Sequence, residues 1–153
     1  MYHFFPSKKE LVLSVIREIL SPKMEFFFSF QSKNYTNAID IILETIENIG
    51  KNENLVKNNC PLNRLNIELS NSDQDFDKEL NKIFRNIQNK LIDLLKNSIS
   101  KKEIQEIEPV SLSEFIMTST WGALSLSASN SSKTQFFQNT QHLKNYLLSL
   151  KLN

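Results

Sequence analysis

The run Asp73-Gln-Asp-Phe-Asp-Lys-Glu-Leu-Asn-Lys-Ile-Phe-Arg-Asn-Ile-Gln-Asn-Lys-Leu-Ile-Asp-Leu-Leu-Lys-Asn-Ser98 decides the fold. Phe76, Leu80, Ile83, Phe84, Ile87, Leu91, Leu94 and Leu95 recur at intervals of three and four. That spacing puts them on one side of a 3.6-residue helix and predicts a long amphipathic helix over 73–98. Ser70-Asn71-Ser72-Asp73 is a polar break rich in residues that cap helix starts.

The segments on either side repeat this pattern. Toward the C-terminus, Lys101 to Pro109 is charged and reads as a surface connection. Ser111-Leu112-Ser113-Glu114 has the form of a capping box and predicts a helix to about Ser129. Asn130-Ser131-Ser132 breaks the chain, and Phe136, Thr140, Leu143, Leu147 and Leu150 form the stripe of a last helix over 133–150. Toward the N-terminus, Pro61 suits a first helical turn, with Leu62, Leu65, Ile67 and Leu69 following. Tyr35, Ala38, Ile39, Ile42, Ile46 and Ile49 predict a helix over 34–49, with Gly50 as its stop and a polar loop over 51–59. Ser7-Lys8-Lys9-Glu10 is a further capping box, opening a helix through Leu20 that Pro22 ends or bends. Met24 to Phe30 is the most apolar stretch, and such a run is expected to be buried.

The composition agrees with an all-α chain of about six helices. It has 153 residues, 40% of them hydrophobic, with 2 glycines and 4 prolines, too few turn formers for a β-rich fold. A net charge of +1 gives no general attraction to nucleic acid. The single cysteine, Cys60, excludes an intramolecular disulfide, and with only two distant histidines, His3 and His142, no metal site is expected. There is no signal-peptide pattern and no apolar stretch of membrane-spanning length, so the expected location is the cytoplasm, with no membrane partner. No nucleophile elbow, phosphate loop, paired-carboxylate motif or zinc spacing is present, so no catalytic residue, no cofactor and no enzymatic activity are expected.

Two stretches carry a resemblance. Tyr2-His3-Phe4-Phe5-Pro6-Ser7-Lys8-Lys9-Glu10-Leu11 resembles the Tyr-x-x-Phe-x-Ser-Lys-x-x-Leu run that closes the DNA-binding domain of TetR-family transcriptional regulators. Asn59-Cys60-Pro61-Leu62-Asn63-Arg64-Leu65-Asn66-Ile67-Glu68 is similar to the Gly-Cys-Pro-Leu-Gly-Asn-Leu-Ala-x-Glu motif of one branch's regulatory domain. Asn59, Asn63 and Arg64 depart from that motif, so its local pocket chemistry does not carry over. The resemblance implies a TetR-type C-terminal regulatory domain: antiparallel helices with a dimerising helix pair at the C-terminus. Residues 1–20 would be a remnant of the DNA-binding domain plus the connecting helix, and residues 21–153 the ligand-binding and dimerisation domain. Most of the helix-turn-helix would lie outside this chain, which alone is then not expected to read an operator.

On this reading Tyr2, His3 and Lys8 stand where the family contacts DNA phosphate; a frayed terminus ahead of an ordinary capped helix is the plainer alternative. The expected pocket is mainly apolar and is lined by Phe27, Phe28, Ile42, Arg64, Leu65, Phe84, Ile87, Phe115, Ser119 and Trp121. Arg64 would anchor an anion. Core packing is the plainer reading of each aromatic taken singly. Cys60 reads as a thiol sensor or, more plainly, as a small buried residue, and His142 as a surface or interface residue. Gly122, Leu126, Phe137, Thr140, Leu143, Tyr146 and Leu147 are the expected homodimer interface. The expected function is the ligand-sensing, dimerising part of a repressor, taking a small apolar or aromatic ligand. Operator DNA is a partner only if the missing helices are present in the native protein. A ligand-binding or heterodimerising helical module without DNA function, and a small helical enzyme, are the competing readings.

Overall fold

The computed structural model describes residues 7–69, 71–130 and 132–152. In chain order the elements are α1 (Lys8–Val15), a π-helical turn (Ile16–Leu20), α2 (Ser21–Phe27), α3 (Ala38–Lys51), α4 (Glu53–Asn58), α5 (Pro61–Leu69), α6 (Gln74–Ser100), α7 (Pro109–Asn130) and α8 (Lys133–Ser149). The fold is all-α; among the described residues the only β-type pairing is an isolated bridge between Ile104 and Lys151.

The long helix is present where its periodicity puts it. Asp73 caps α6 by accepting from the N–H of Asp75 at 2.8 Å, and Leu80, Ile83, Ile87, Leu91 and Leu95 are buried along one face. The first helix also starts as read, Ser7 accepting from the N–H of Glu10 at 3.1 Å. Pro22, however, does not end it. Residues 16–20 widen into a π turn in which the N–H of Ser21 reaches back to the carbonyl of Ile16. The extra residue in that turn accommodates a proline ring that would otherwise meet the carbonyl of Glu18. Position 20 therefore lies inside one helical run, and Ile16, Leu20 and Met24 share one core. Along α2 and just past its end, Met24 and Phe28 point inward one turn apart, whereas Phe26 is 79% exposed, so the expected burial of the whole Met24–Phe30 run fails there.

Four other expectations are corrected. Tyr35 lies outside α3 and is exposed, because Asn37 caps that helix by accepting from the N–H of Ile39 at 2.9 Å. Gly50 is not a stop but sits inside α3, where it lets α8 approach. The expected loop at 51–59 holds α4, capped by Asn52 accepting from the N–H of Leu55 at 3.1 Å and anchored by buried Leu55 and Val56. The Ser111 capping box is not used: α7 begins at Pro109, and the Glu108 carboxylate takes the N–H groups of Val110 at 3.0 Å and Ser111 at 2.6 Å.

The helices close around one core, with α3, α6 and α7 at its centre and α8 packed along α7 and α3. A polar clasp ties the ends of the bundle. Ser98 accepts from the N–H of Ala38 at 3.0 Å and donates to Glu103 at 3.0 Å. Lys151 donates to both carboxylate oxygens of Asp40 at 2.9 Å. Ile104, which bridges to Lys151, is buried, so the 101–109 connection is only partly a surface one.

Candidate functional site

Two regions take most of the expected site residues: the core around Trp121, and the outer face shared by α7 and α8. At the first, Trp121 turns inward from α7 and stacks on Phe28, with ring centroids 4.7 Å apart and planes 23° apart. Phe84 meets its edge at 5.7 Å. The indole N–H finds no hydrogen-bond partner among the described residues. The Cys60 thiol is near enough to be influenced by it, outside hydrogen-bonding geometry, and a thiol is a weak acceptor in any case.

Beside Trp121 the helices leave a void of about 10 Å³, bordered by Phe28, Phe30, Thr45, Ile46, Thr120 and Trp121 among others. That is room for at most about one water molecule. The ligand pocket expected there is therefore a packed interior in this conformation. Phe28, Ile42, Ile87 and Trp121 lie buried in that interior, with Phe27, Leu65, Phe84 and Ser119 half-buried. Two expected lining residues are elsewhere. Arg64 is exposed on α5, where its charge stays hydrated, and Phe115 is 48% exposed on the outer face of α7.

Cys60 is fully buried, its sulfur 3.4 Å from that of Met24. Burial pushes its thiol up, and nearby N–H groups offset only part of that shift, so it lacks the thiolate character a sensor needs. The neighbouring motif residues act as fasteners: Asn59 and Asn63 each donate to the Ser125 hydroxyl at 3.2 Å. Asn59 itself has φ of 68° and ψ of 170°, a region that glycine enters freely and a residue with a side chain rarely does. Lys8 is exposed in the first turn of α1, His142 is exposed on α8, and Tyr2 and His3 lie outside the described residues.

The second region is the outer face of α7 and α8. Phe115, Leu126 and Tyr146 are exposed there at 48%, 52% and 41%, and Phe115 meets Tyr146 edge-to-face at 5.6 Å. A side chain on Gly122 would meet nothing within 4 Å. Thr140, Leu143 and Leu147, expected at the dimer interface, are buried within the chain's own core and present nothing to a partner. Phe137 lies on another side of α8, in a groove of about 430 Å³ against α3 that also includes Tyr35, Asp40, Glu44 and Lys144. The sequence reading missed this groove, because its apolar residues, Leu43, Ile46, Phe137 and Leu148, are interleaved with acidic and polar ones that look like an ordinary solvated helix face.

No helix among the described residues is long and apolar enough to cross a membrane. Comparison with protein-family models, with curated proteins and with solved structures found no match to this chain.

Proposed function

We propose that this chain is the ligand-sensing, dimerising part of a TetR-type transcriptional repressor, pairing with a second copy through α7 and α8. The observation that carries the reading is the outer face of α7. After Leu112, Ile116, Trp121 and Leu124 have filled the core, Phe115 and Leu126 remain outside, with Gly122 between them and Tyr146 alongside. A helix apolar on more than one face is buried on more than one face. Two such helix pairs related by a two-fold axis form a four-helix bundle, and the bare backbone at Gly122 lets the copies approach closely. The resemblance at Tyr2–Leu11 and Asn59–Glu68 supports the same arrangement.

In a repressor of this type, a ligand in the core of each copy shifts the relative placement of the paired subunits. The packed Trp121 region is where such coupling would begin, because α7 lines both the interior and the outer face. Light scattering tests the reading: the chain is expected at twice its 17.8 kDa mass at low micromolar concentration. Phe115→Glu with Leu126→Glu is expected to give a folded monomer. A wild-type monomer under those conditions refutes the proposal.

A further inference from the structure

One of the residues that border the void beside Trp121 has a strained backbone. Phe30 has φ of 50°, a left-handed conformation that a bulky residue rarely adopts. Its ring is nonetheless buried and borders the void. Among the described residues no hydrogen bond reaches Ser29, Phe30 or Gln31. The first anchor beyond them is Ser32, which accepts from the N–H groups of Asn34 at 3.0 Å and Tyr35 at 3.2 Å. Packing alone holds the ring in place.

We propose that Phe30 is a displaceable plug, and that the space it vacates binds a neutral, single-ring aromatic molecule with one hydrogen-bond donor, of the phenol class. This names the ligand of the sensing role proposed above and rests on that reading. Size follows from exchanging one ring for another: a void of about 10 Å³ plus the volume of a phenylalanine ring holds one ring and little more. An apolar cavity of roughly 150 Å³ is enough for benzene in other proteins. Aromatic character follows from the stacked pair Phe28–Trp121 on the wall. Neutrality follows from a lining without any charged residue. The donor follows from the two threonines. Thr45 already donates its hydroxyl proton to the Ile41 carbonyl at 3.0 Å, and Thr120 to the Ile116 carbonyl at 2.8 Å. Each hydroxyl therefore offers the cavity lone pairs and no proton, while the indole N–H of Trp121, also of the lining, is a donor without a partner among the described residues, so a ligand hydroxyl, which both donates and accepts, is favoured over a group that can do neither.

The test is a titration with phenol, using toluene as the control of similar shape without the hydroxyl. It is read by the fluorescence of Trp121, the only tryptophan in the chain. The wild type is expected to show saturable quenching by phenol. Phe30→Ala, with Phe30→Leu as the gentler variant if alanine prevents folding, is expected to raise the apparent affinity at least ~10-fold, because a sparsely populated plug-out state no longer limits binding. Thr45→Val with Thr120→Val is expected to weaken phenol binding and leave that of toluene unchanged. Absence of saturation in both the wild type and the Phe30 variants overturns the plug, and equal affinities of phenol and toluene for the wild type overturn the donor requirement. Light scattering on the same samples separates the two readings. A dimer that takes up no phenol ends this inference alone, whereas a monomer that binds phenol ends the repressor reading alone.

Discussion

Replacing Gly50 by alanine is a severe test of the packing described above, because two effects of opposite sign meet at that position. Gly50 lies inside α3, and in an open helix alanine in its place stabilises by about 1 kcal/mol. Here the added methyl would lie 2.7 Å from Cδ1 and Cε1 of Phe136 and 2.7 Å from Cε1 of Phe137. Phe136 is completely buried, so its ring has no solvent to retreat into. Relieving the overlap means parting α3 from α8 or forcing a ring off its rotamer, and overpacking of this kind costs roughly 1–3 kcal/mol. With three ring atoms in conflict the upper part of that range applies, and the net expectation is a loss of about 1–2 kcal/mol after the helix gain is subtracted. Urea unfolding followed by circular dichroism would show a lower midpoint with an unchanged slope. In a thermal scan of a chain this long, the same loss lowers Tm by about 2–8 °C. If Gly50→Ala is as stable as the wild type or more so, the close approach of α8 to α3 is wrong, and Gly50 is a helix residue with open space around it.

Three further outcomes are expected. Ser127→Ala removes a buried hydroxyl that lies 3.0 Å from the Val56 carbonyl and 2.9 Å from that of Leu124, and a loss of about 1–3 kcal/mol in urea unfolding is expected because the Val56 carbonyl is left without that donor. Glu108 is held below the usual carboxylate range by the N–H groups of Ser111 and Val110, so its folded pKa is depressed relative to the unfolded chain. Its contribution is present above the unfolded pKa and is lost as pH falls through the folded value; Glu108→Gln should therefore remove part of the acid-side decline in stability and lower stability near neutral pH. Leu147→Glu places a charge in the chain's own core and is expected to abolish cooperative unfolding, whereas the surface pair Phe115→Glu and Leu126→Glu leaves it intact.

The parts of the fold legible in the sequence are those in which one periodic stripe meets one core. In α6 the spacing from Phe76 to Leu95 left no competing assignment, and the break before it supplied the cap at Asp73. The short element α4 was not legible, because Leu55 and Val56 are its only apolar residues and six residues cannot display a helical period. At the start of α7 two capping arrangements were available locally. Ser113, inside the expected box, is fully buried, accepts from Gln88 at 3.1 Å, and so belongs to the body of the helix. Glu108 became the cap instead.

The candidate site divided along similar lines. Trp121, Phe28 and Phe84 do come together, as a set of inward-facing aromatics should. Phe115 did not join them, because it lies six residues before Trp121, which puts it well around α7 from the inward face. On α8 the stripe Phe136–Leu150 was readable as apolar, but a stripe does not say whether it faces its own core or a second copy. The structure assigns Thr140, Leu143 and Leu147 to the core, and Tyr146 and Phe137 to two different outer sides. Phe30 could not have been singled out in advance, since nothing in its neighbours announces a left-handed backbone.

Pairing of two copies across the outer face of α7 can be read from a symmetric cross-link. A residue near a two-fold axis meets its own counterpart, and a disulfide forms only when the two Cα atoms come within about 7 Å. With Cys60 replaced by serine, Gly122→Cys is introduced into one sample and Phe137→Cys into another, and both are oxidised at low micromolar concentration. A covalent dimer is expected from Gly122→Cys and a monomer from Phe137→Cys, which lies in the groove against α3. A covalent dimer from Phe137→Cys with none from Gly122→Cys would contradict that pairing and move the interface to that groove, and monomers from both would leave the outer face of α7 without a second copy.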